Sequence, residues 1–586
     1  MAEQINFSSK KTETKIVKPV DIIYGIDDSP PLVPRILLGL QQFVVTALYL
    51  SLITLLAAQT GMKFQDAQYM MSTCLIVMGI AALLQSHPGK HIGSGFLIVS
   101  SPIIISFTGE LNALKIGGFA LLAGMNLFCG FIEITISSII KKLKIIFPPI
   151  ISGLIFLFIG LEICVTALRN VLPTTPGSIH TTSFSLGLIV FFVTFGLIVA
   201  IYIWAPLKIQ LFSIIIGVTF GAILANFLNL YLPVNLENIA KTSFFAIPDF
   251  RFEMDFSFGL IPLFVVIAFA ESIKAVGLFT TSQQINDANF SKADYDKFKP
   301  GILADGLAMI FSGLLGTKAV GLSPSAVGVS KATGATSRNI AYVAAIICFA
   351  LALMPKFTSF ILAIPLPVIS AGIFFPGCIL IAGGAQLITI DHITSRRALI
   401  LGVSLSAALT TVIFPEFYAQ CPKFIRDSMV SMLFMGTLTA IILNLIFRIK
   451  ISKKKKWKVN KRLNGIDNFI SGIKKELPAL TKNKAAIKNI ISSTEYIIRI
   501  ITEKNSIGGN MLVHTKFDDM SYKVSLLYRG ELPKILKTTN ITDQDLIEEL
   551  MAIKGVINNY VTFAPDNITV KTVNKRTKIE LKFDIY

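Results

Sequence analysis

The sequence predicts a polytopic α-helical membrane protein carrying an α+β domain at its C-terminus. Three observations carry that expectation. Of 586 residues, 53% are hydrophobic and only 15% charged, well outside the range of soluble chains. Long apolar runs fill residues 36–448, whereas 449–586 is Lys-rich and mixed. Within that last part the apolar period changes from three or four residues to two.

A helix crossing a bilayer needs about 20 apolar residues. Runs of that kind begin near Ile36, Tyr69, Ile92, Ile116, Ile146, Ser183, Lys208, Gly259, Ile302, Leu322, Asn339, Ile361, Arg397 and Met429, fourteen in all. The positive-inside rule supports an even count, with both termini cytoplasmic. On this count the inside loops carry Lys90, Lys141, Lys142, Lys144, Lys292, Lys297, Lys299, Arg396 and Arg397. The domain boundaries follow: a cytoplasmic tail over 1–35, a transmembrane domain over 36–448, a basic linker over 449–466 and a cytoplasmic α+β domain over 467–586.

The net charge of +19 belongs to topology, so no nucleic-acid partner is expected. The run Lys453 to Lys456 suits anionic lipid headgroups. Six scattered cysteines form no CxxC pair, which argues against a disulfide framework and a metal site. A removable signal peptide is not expected ahead of the first run.

FPPIISG (Phe147 to Gly153) and IPLPVISAG (Ile364 to Gly372) open the fifth and twelfth spans, an offset of seven. An odd offset makes the second element antiparallel to the first, as an inverted 7+7 repeat requires. The same offset pairs the third and tenth spans, GSGFLIVSSPIII (Gly93 to Ile105) and GTKAVGLSPSAVGVSKATG (Gly316 to Gly334), both rich in Gly and Ser and broken by Pro. Broken backbone at membrane depth is tolerated where protein or water covers it, and the freed N–H groups of a half-helix suit a polar ligand. The binding site is expected between these segments, with Ser100, Ser101, Ser323 and Ser325 as hydroxyl donors or as caps of the break itself.

Intramembrane ionisable residues are functional candidates. Glu271 could take and release a proton and bind an N–H edge, or could simply pair with Lys274 three residues on. Asp305 is read as a proton-coupling or core-orienting residue. Lys331 either snorkels to the interface or meets an anion with Lys274. Glu133 and Glu162 lie in unbroken helices and are expected to make interhelical hydrogen bonds.

Taken together, YGIDDSPP (Tyr24 to Pro31), GLQQ (Gly39 to Gln42), ESIKAVGLFTTSQQI from Glu271 and ILADGLAMIFSGLLGT from Ile302 resemble the nucleobase:cation symporter-2 family, which includes nucleobase–ascorbate transporters and xanthine/uracil permeases. The resemblance covers roughly residues 24–448. It implies core and gate domains, an elevator-type movement, a homodimer in the bacterial inner membrane, and import of a purine or pyrimidine base coupled to H+ or Na+, with no cofactor and no enzymatic activity. It also implies that Glu271 holds the base. In the tenth-helix signature, Ser325 stands at the Gln/Glu position, Ala326 at the Asn, Gly328 at the Gly and Thr333 at the Thr. Lys274 and Ala275 replace a glycine and an acid. These departures keep open an anion or carboxylate transporter of related fold, and a non-transporting ligand sensor.

In the C-terminal part, MLVHTKFDD, YKVSLLYRG, ITVKTVNK and KIELKFDIY read as strands, ELPALTKNKAAIKNIISSTEYIIRIITEK as one or two amphipathic helices, and DLIEELMAIKGVINNY as a further helix. The order resembles the histidine-kinase-type ATPase fold of anti-sigma kinases. Arg499 stands where that family places a magnesium-holding Asn, and a glycine-rich lid is absent from the sequence, so the resemblance implies a regulatory or dimerising module without ATPase activity.

Overall fold

The computed structural model describes residues 3–7, 17–89, 91–143, 148–172, 182–210, 212–230, 239–288, 290, 294, 297–390, 392–448, 453–459, 463–482, 484–503, 511–518, 521–529, 567–573 and 576–584. These fall into two compact units: residues 16–387 with 399–441, and residues 1–15 with 388–398 and 442–586.

The larger unit is helical. Its helices of eight residues or more are α1 (Leu32–Ala47), α2 (Ser51–Thr60), α3 (Phe64–Ser86), α4 (Phe107–Leu143), α5 (Pro149–Arg169), α6 (Thr182–Trp204), α7 (Ser213–Phe227), α8 (Ile261–Asn286), α9 (Phe298–Leu314), α10 (Pro324–Thr333), α11 (Arg338–Ala352), α12 (Pro355–Leu362), α13 (Leu366–Ile388), α14 (Ser395–Ile413) and α15 (Met432–Phe447). The ends of α13, α14 and α15 run into the smaller unit. α4 breaks at Gly118, whose φ is 65°. Among the described residues eight helical segments are long and apolar enough to cross a membrane, α1 and α2 counting as one, and the bent pair of α11 and α12 is a ninth. The chain is therefore a helical polytopic membrane protein. α7 and α15 are apolar but shorter.

At the third and tenth expected spans the backbone is strand rather than full helix. β2 (Ser100–Pro102) pairs antiparallel with β3 (Val320–Leu322), with Ser100 opposite Leu322 and Ser101 opposite Gly321. Sequence explains the departure. Ahead of β2, Gly93 has φ 86°, and a Cβ there would lie 2.3 Å from the Leu84 carbonyl. Pro102 ends β2, and Pro324 at the first turn of α10 starts a helix without needing a donor. The strands satisfy each other's peptide groups in a buried setting, where unpaired ones are costly.

Two helix crossings bring backbones together. A Cβ on Gly130 of α4 would lie 2.6 Å from the Gly306 carbonyl of α9, and one on Gly160 of α5 would lie 2.7 Å from the Gly377 carbonyl of α13. Small residues at such crossings let helices approach closely in the absence of a hydrophobic driving force.

The smaller unit holds a six-stranded antiparallel sheet in the order β1-β7-β8-β6-β5-β4, from β1 (Glu3–Phe7), β4 (Lys453–Val459), β5 (Met511–Phe517), β6 (Ser521–Arg529), β7 (Asn567–Val573) and β8 (Arg576–Asp584). α16 (Leu463–Leu480) and α17 (Lys484–Glu503) pack on it. The periods are those the sequence predicts: Ile466, Phe469, Ile470, Ile473 and Leu477 form one stripe of α16, and Val524, Leu526 and Tyr528 alternate along β6. The helix expected over 545–560 lies outside the described residues.

The lysine run is a finding against the linker expectation. Lys453 to Val459 form the edge strand β4, paired with β5. Trp457 explains it by packing edge-to-face on Phe469 with ring centroids 5.5 Å apart, while the exposed lysines protect the sheet edge from further pairing.

Candidate functional site

Buried ionisable residues lie on α8, on α9 and just ahead of β3. On α8, Lys274 closes an ion pair with Glu271 one turn away. Glu271 is fully buried, and the Lys274 side chain is 11% exposed. The salt-bridge alternative for Glu271 is therefore present in the structure, and any ligand of this carboxylate meets Lys274 as well.

On α9, Asp305 sits next to the Gly306 crossing. Its Oδ1 accepts the Leu322 N–H of β3 at 3.1 Å.

Ser323 ends the β3 segment as the residue preceding α10 and is fully buried; its side chain makes no capping bond. Ser325 Oγ lies 3.0 Å from the Tyr49 hydroxyl at the end of α1. The Ala326 carbonyl accepts from Gln42 Nε2 at 3.2 Å, and the same amide nitrogen donates to Ser330 Oγ at 3.0 Å. Ser100 and Ser101 are buried on β2. Lys331, by contrast, is exposed in the last turn of α10, and the structure does not bring it to the cluster.

Tyr49 also lines a cavity of about 250 Å³, with Phe43, Ser51, Ile104, Thr219 and Phe360 among its other walls; Glu271, Ser323 and Ser325 are not among them.

Sequence reasoning missed a second ion pair. Lys318 and Glu110 are both fully buried and paired. Ser106 Oγ accepts from Lys318 Nζ at 3.0 Å, and the Ala319 N–H and Asn126 Nδ2 donate to Glu110 Oε1 at 2.6 and 3.2 Å. These hydrogen bonds offset part of the cost of burying the pair. The available signal was a lysine inside the tenth apolar run. Tyr49 and Gln42 were also missed, the latter although it stands in the GLQQ motif.

The YGIDDSPP motif has a structural task. The Gly334 carbonyl, just past α10, accepts from the Ile23 and Tyr24 amides at 2.7 and 3.1 Å; Tyr24 O accepts from Thr336 N at 2.7 Å. Arg338 reaches Asp27 at 2.7 Å. Asp28 accepts from Lys18 Nζ at 2.6 Å and from the Gly25 amide at 2.8 Å, and the Lys18 ammonium holds its carboxyl below the usual range.

Glu162 accepts from Ser431 Oγ at 3.2 Å and Met432 N at 3.1 Å, an interhelical role. In the smaller unit, Arg499 pairs with Glu495 at 2.9 Å and Asp467 at 3.1 Å.

The permease family model of xanthine and uracil permeases matches residues 34–417. The chain is 26% identical over 445 residues to xanthine permease XanP of Escherichia coli strain K12, covering 73% of this chain and 95% of that one. It is 24% identical over 402 residues to uric acid permease PucJ of Bacillus subtilis strain 168, covering 67% and 87%. Among solved structures, the transmembrane domain of the cyanobacterial bicarbonate transporter BicA aligns at 15% identity with a TM-score of 0.43, over 70% of this chain and 96% of that one. Since the model match spans more than half of the 586 residues, this chain is a member of the permease family, a transporter and not an enzyme.

Proposed function

We propose that this protein carries a nucleobase of the xanthine or uric acid class across the bacterial inner membrane, coupled to a cation gradient. The observation that supports it best is that the Glu271–Lys274 pair of α8 lies near Tyr49, whose hydroxyl meets Ser325 at the broken start of α10, in a chain whose relatives are named for those bases. Hydroxyls, freed amides and a carboxylate match the alternating donors and acceptors of an oxopurine.

The fourteen-span, 7+7 reading fits two relationships. β2 and β3 pair across the offset of seven, and α4 packs on α9 as α11 packs on α3, which is the same contact in the two repeats. A core of spans 1–4 and 8–11 would move against a gate formed by the others, in a homodimer with cytoplasmic termini, and the smaller unit would regulate or dimerise it.

Purified protein in liposomes tests this directly. Saturable uptake of labelled xanthine or uric acid, lost in Glu271→Gln, is expected. Uptake of bicarbonate or sulfate without competition by any base would overturn the assignment.

A further inference from the structure

The crossing at Gly130 and Gly306 does more than pack two helices. It brings together two carboxyls, Glu133, one turn along α4 from Gly130, and Asp305, beside Gly306 on α9, and the two face one another. Glu133 is fully buried and Asp305 is 3% exposed. Asp305 Oδ1 is used by Leu322 N–H, but Asp305 Oδ2 and both oxygens of Glu133 receive no donor from the described residues.

Two bare carboxylates in this position repel one another, and each unpaired oxygen carries a desolvation cost. The expectation that Glu133 makes an interhelical hydrogen bond is met only if a proton is added, because a carboxylate has none to give. The charges around the pair point the same way. From α8 it is faced by Glu271 and Lys274, which neutralise each other. Cys129 flanks it on α4, and Lys318 ahead of β3 is already balanced by Glu110. Cys74 of α3 lies at the Lys318 end. The surrounding groups therefore leave the pair's own negative charge uncompensated.

We infer that Glu133 and Asp305 form the coupling site of this permease, holding one proton between them. The proton forms an O–H bond on one carboxyl and is donated to the other; the same O–H bond breaks on release to the opposite side, so one proton crosses per cycle. Asp305 connects this event to substrate, since its other oxygen holds β3, which leads through Ser323 into α10. Glu133 is a positioning and proton-holding residue and touches no substrate.

The inference rests on the transport reading, and the experiment separates the two. Glu133→Gln in liposomes is expected to keep exchange of labelled xanthine across the membrane at zero gradient, because its amide can donate to Asp305, and to lose accumulation driven by an inward proton gradient. Infrared titration of the same samples should show a protonated-carboxyl band in the parent that is missing in Glu133→Gln. Glu133→Asp, the more conservative change, should retain accumulation with a shifted pH profile, and provides the readout if Gln impairs folding. Gradient-driven accumulation equal to the parent's in Glu133→Gln, accumulation that follows sodium alone, or an unchanged carboxyl band would overturn the proposal. Absence of uptake of every base by the parent would overturn the transport reading, and the infrared band alone would then decide the carboxyl pair.

Discussion

Lys274 neutralises Glu271 from one turn further along α8, so the carboxylate proposed to hold substrate is not a lone buried charge. Removing one partner leaves the other uncompensated at a cost of about 3–5 kcal/mol, whereas removing both is far milder. Glu271→Gln is thus expected to lower the melting temperature as well as abolish base binding. Adding Lys274→Met should restore most of the stability but none of the binding. Melting curves in detergent with and without xanthine check both parts; a double variant as unstable as the single would refute the pairing.

The same reasoning applies more strongly to Lys318 and Glu110, because both are wholly buried and share a network with Ser106, Asn126 and the Ala319 amide. Lys318→Met alone should destabilise the protein by about 3–5 kcal/mol. Lys318→Met with Glu110→Gln should recover at least half of that, read as recovered monodisperse protein and melting temperature. Failure of the second change to help would show that Lys318 stabilises through packing of its stem rather than through charge.

Much of this arrangement is legible in the sequence, and the reasons for the exceptions are physical. Apolar run length and proline–glycine placement locate the helices and the two interrupted segments because bilayer thickness and backbone satisfaction are local constraints. Glu271, Asp305, Ser323 and Ser325 stand out because a charge or a break at membrane depth is costly wherever it occurs. Pairing is different. Nothing near Glu110 in the chain indicates that Lys318 will meet it 208 residues later, and Tyr49 reads as an ordinary aromatic until the fold sets it against Ser325. Lys453 to Lys456 mislead for a similar reason: their neighbour Trp457 finds its partner, Phe469, only once α16 lies on the sheet.

The α4–α9 crossing leaves no room for a methyl group. Gly130→Ala would place Cβ 2.6 Å from the Gly306 carbonyl, and overpacking of this kind costs about 1–3 kcal/mol. Because Asp305 adjoins Gly306, helix separation should also disturb its bond to Leu322. Gly130→Ala is therefore expected to lower both stability and transport, while Gly402→Ala on α14, where a Cβ meets nothing within 4 Å, should leave both unchanged.

Asp28 supplies a pH dependence. Its carboxyl is held below the ordinary aspartate value of about 3.9 by Lys18 and the Gly25 amide. The folded form therefore binds a proton less readily than the unfolded form. Its contribution to stability is complete above the ordinary value and is lost as pH falls through the lowered one. Both side chains are about half exposed, so the effect is under about 1 kcal/mol. The difference in melting temperature between the parent and Asp28→Asn should be constant near neutrality and vanish in acid; a constant difference at every pH would assign it to the backbone turn instead.

Tyr49 gives the most discriminating test of the site itself. Its hydroxyl lies 3.0 Å from Ser325 Oγ, and Tyr49 also lines the cavity walled by Phe43, Ile104 and Phe360. Tyr49→Phe keeps the ring and removes only the hydroxyl, a change worth about 1 kcal/mol, or about fivefold in affinity. If Tyr49 merely braces the break, the loss should appear as lower thermal stability with unchanged KM. If Tyr49 and Ser325 together present hydroxyls to the base, KM for xanthine should rise about fivefold at unchanged stability, and Ser325→Ala should add little further loss in the Tyr49→Phe background, because the two groups act as one unit.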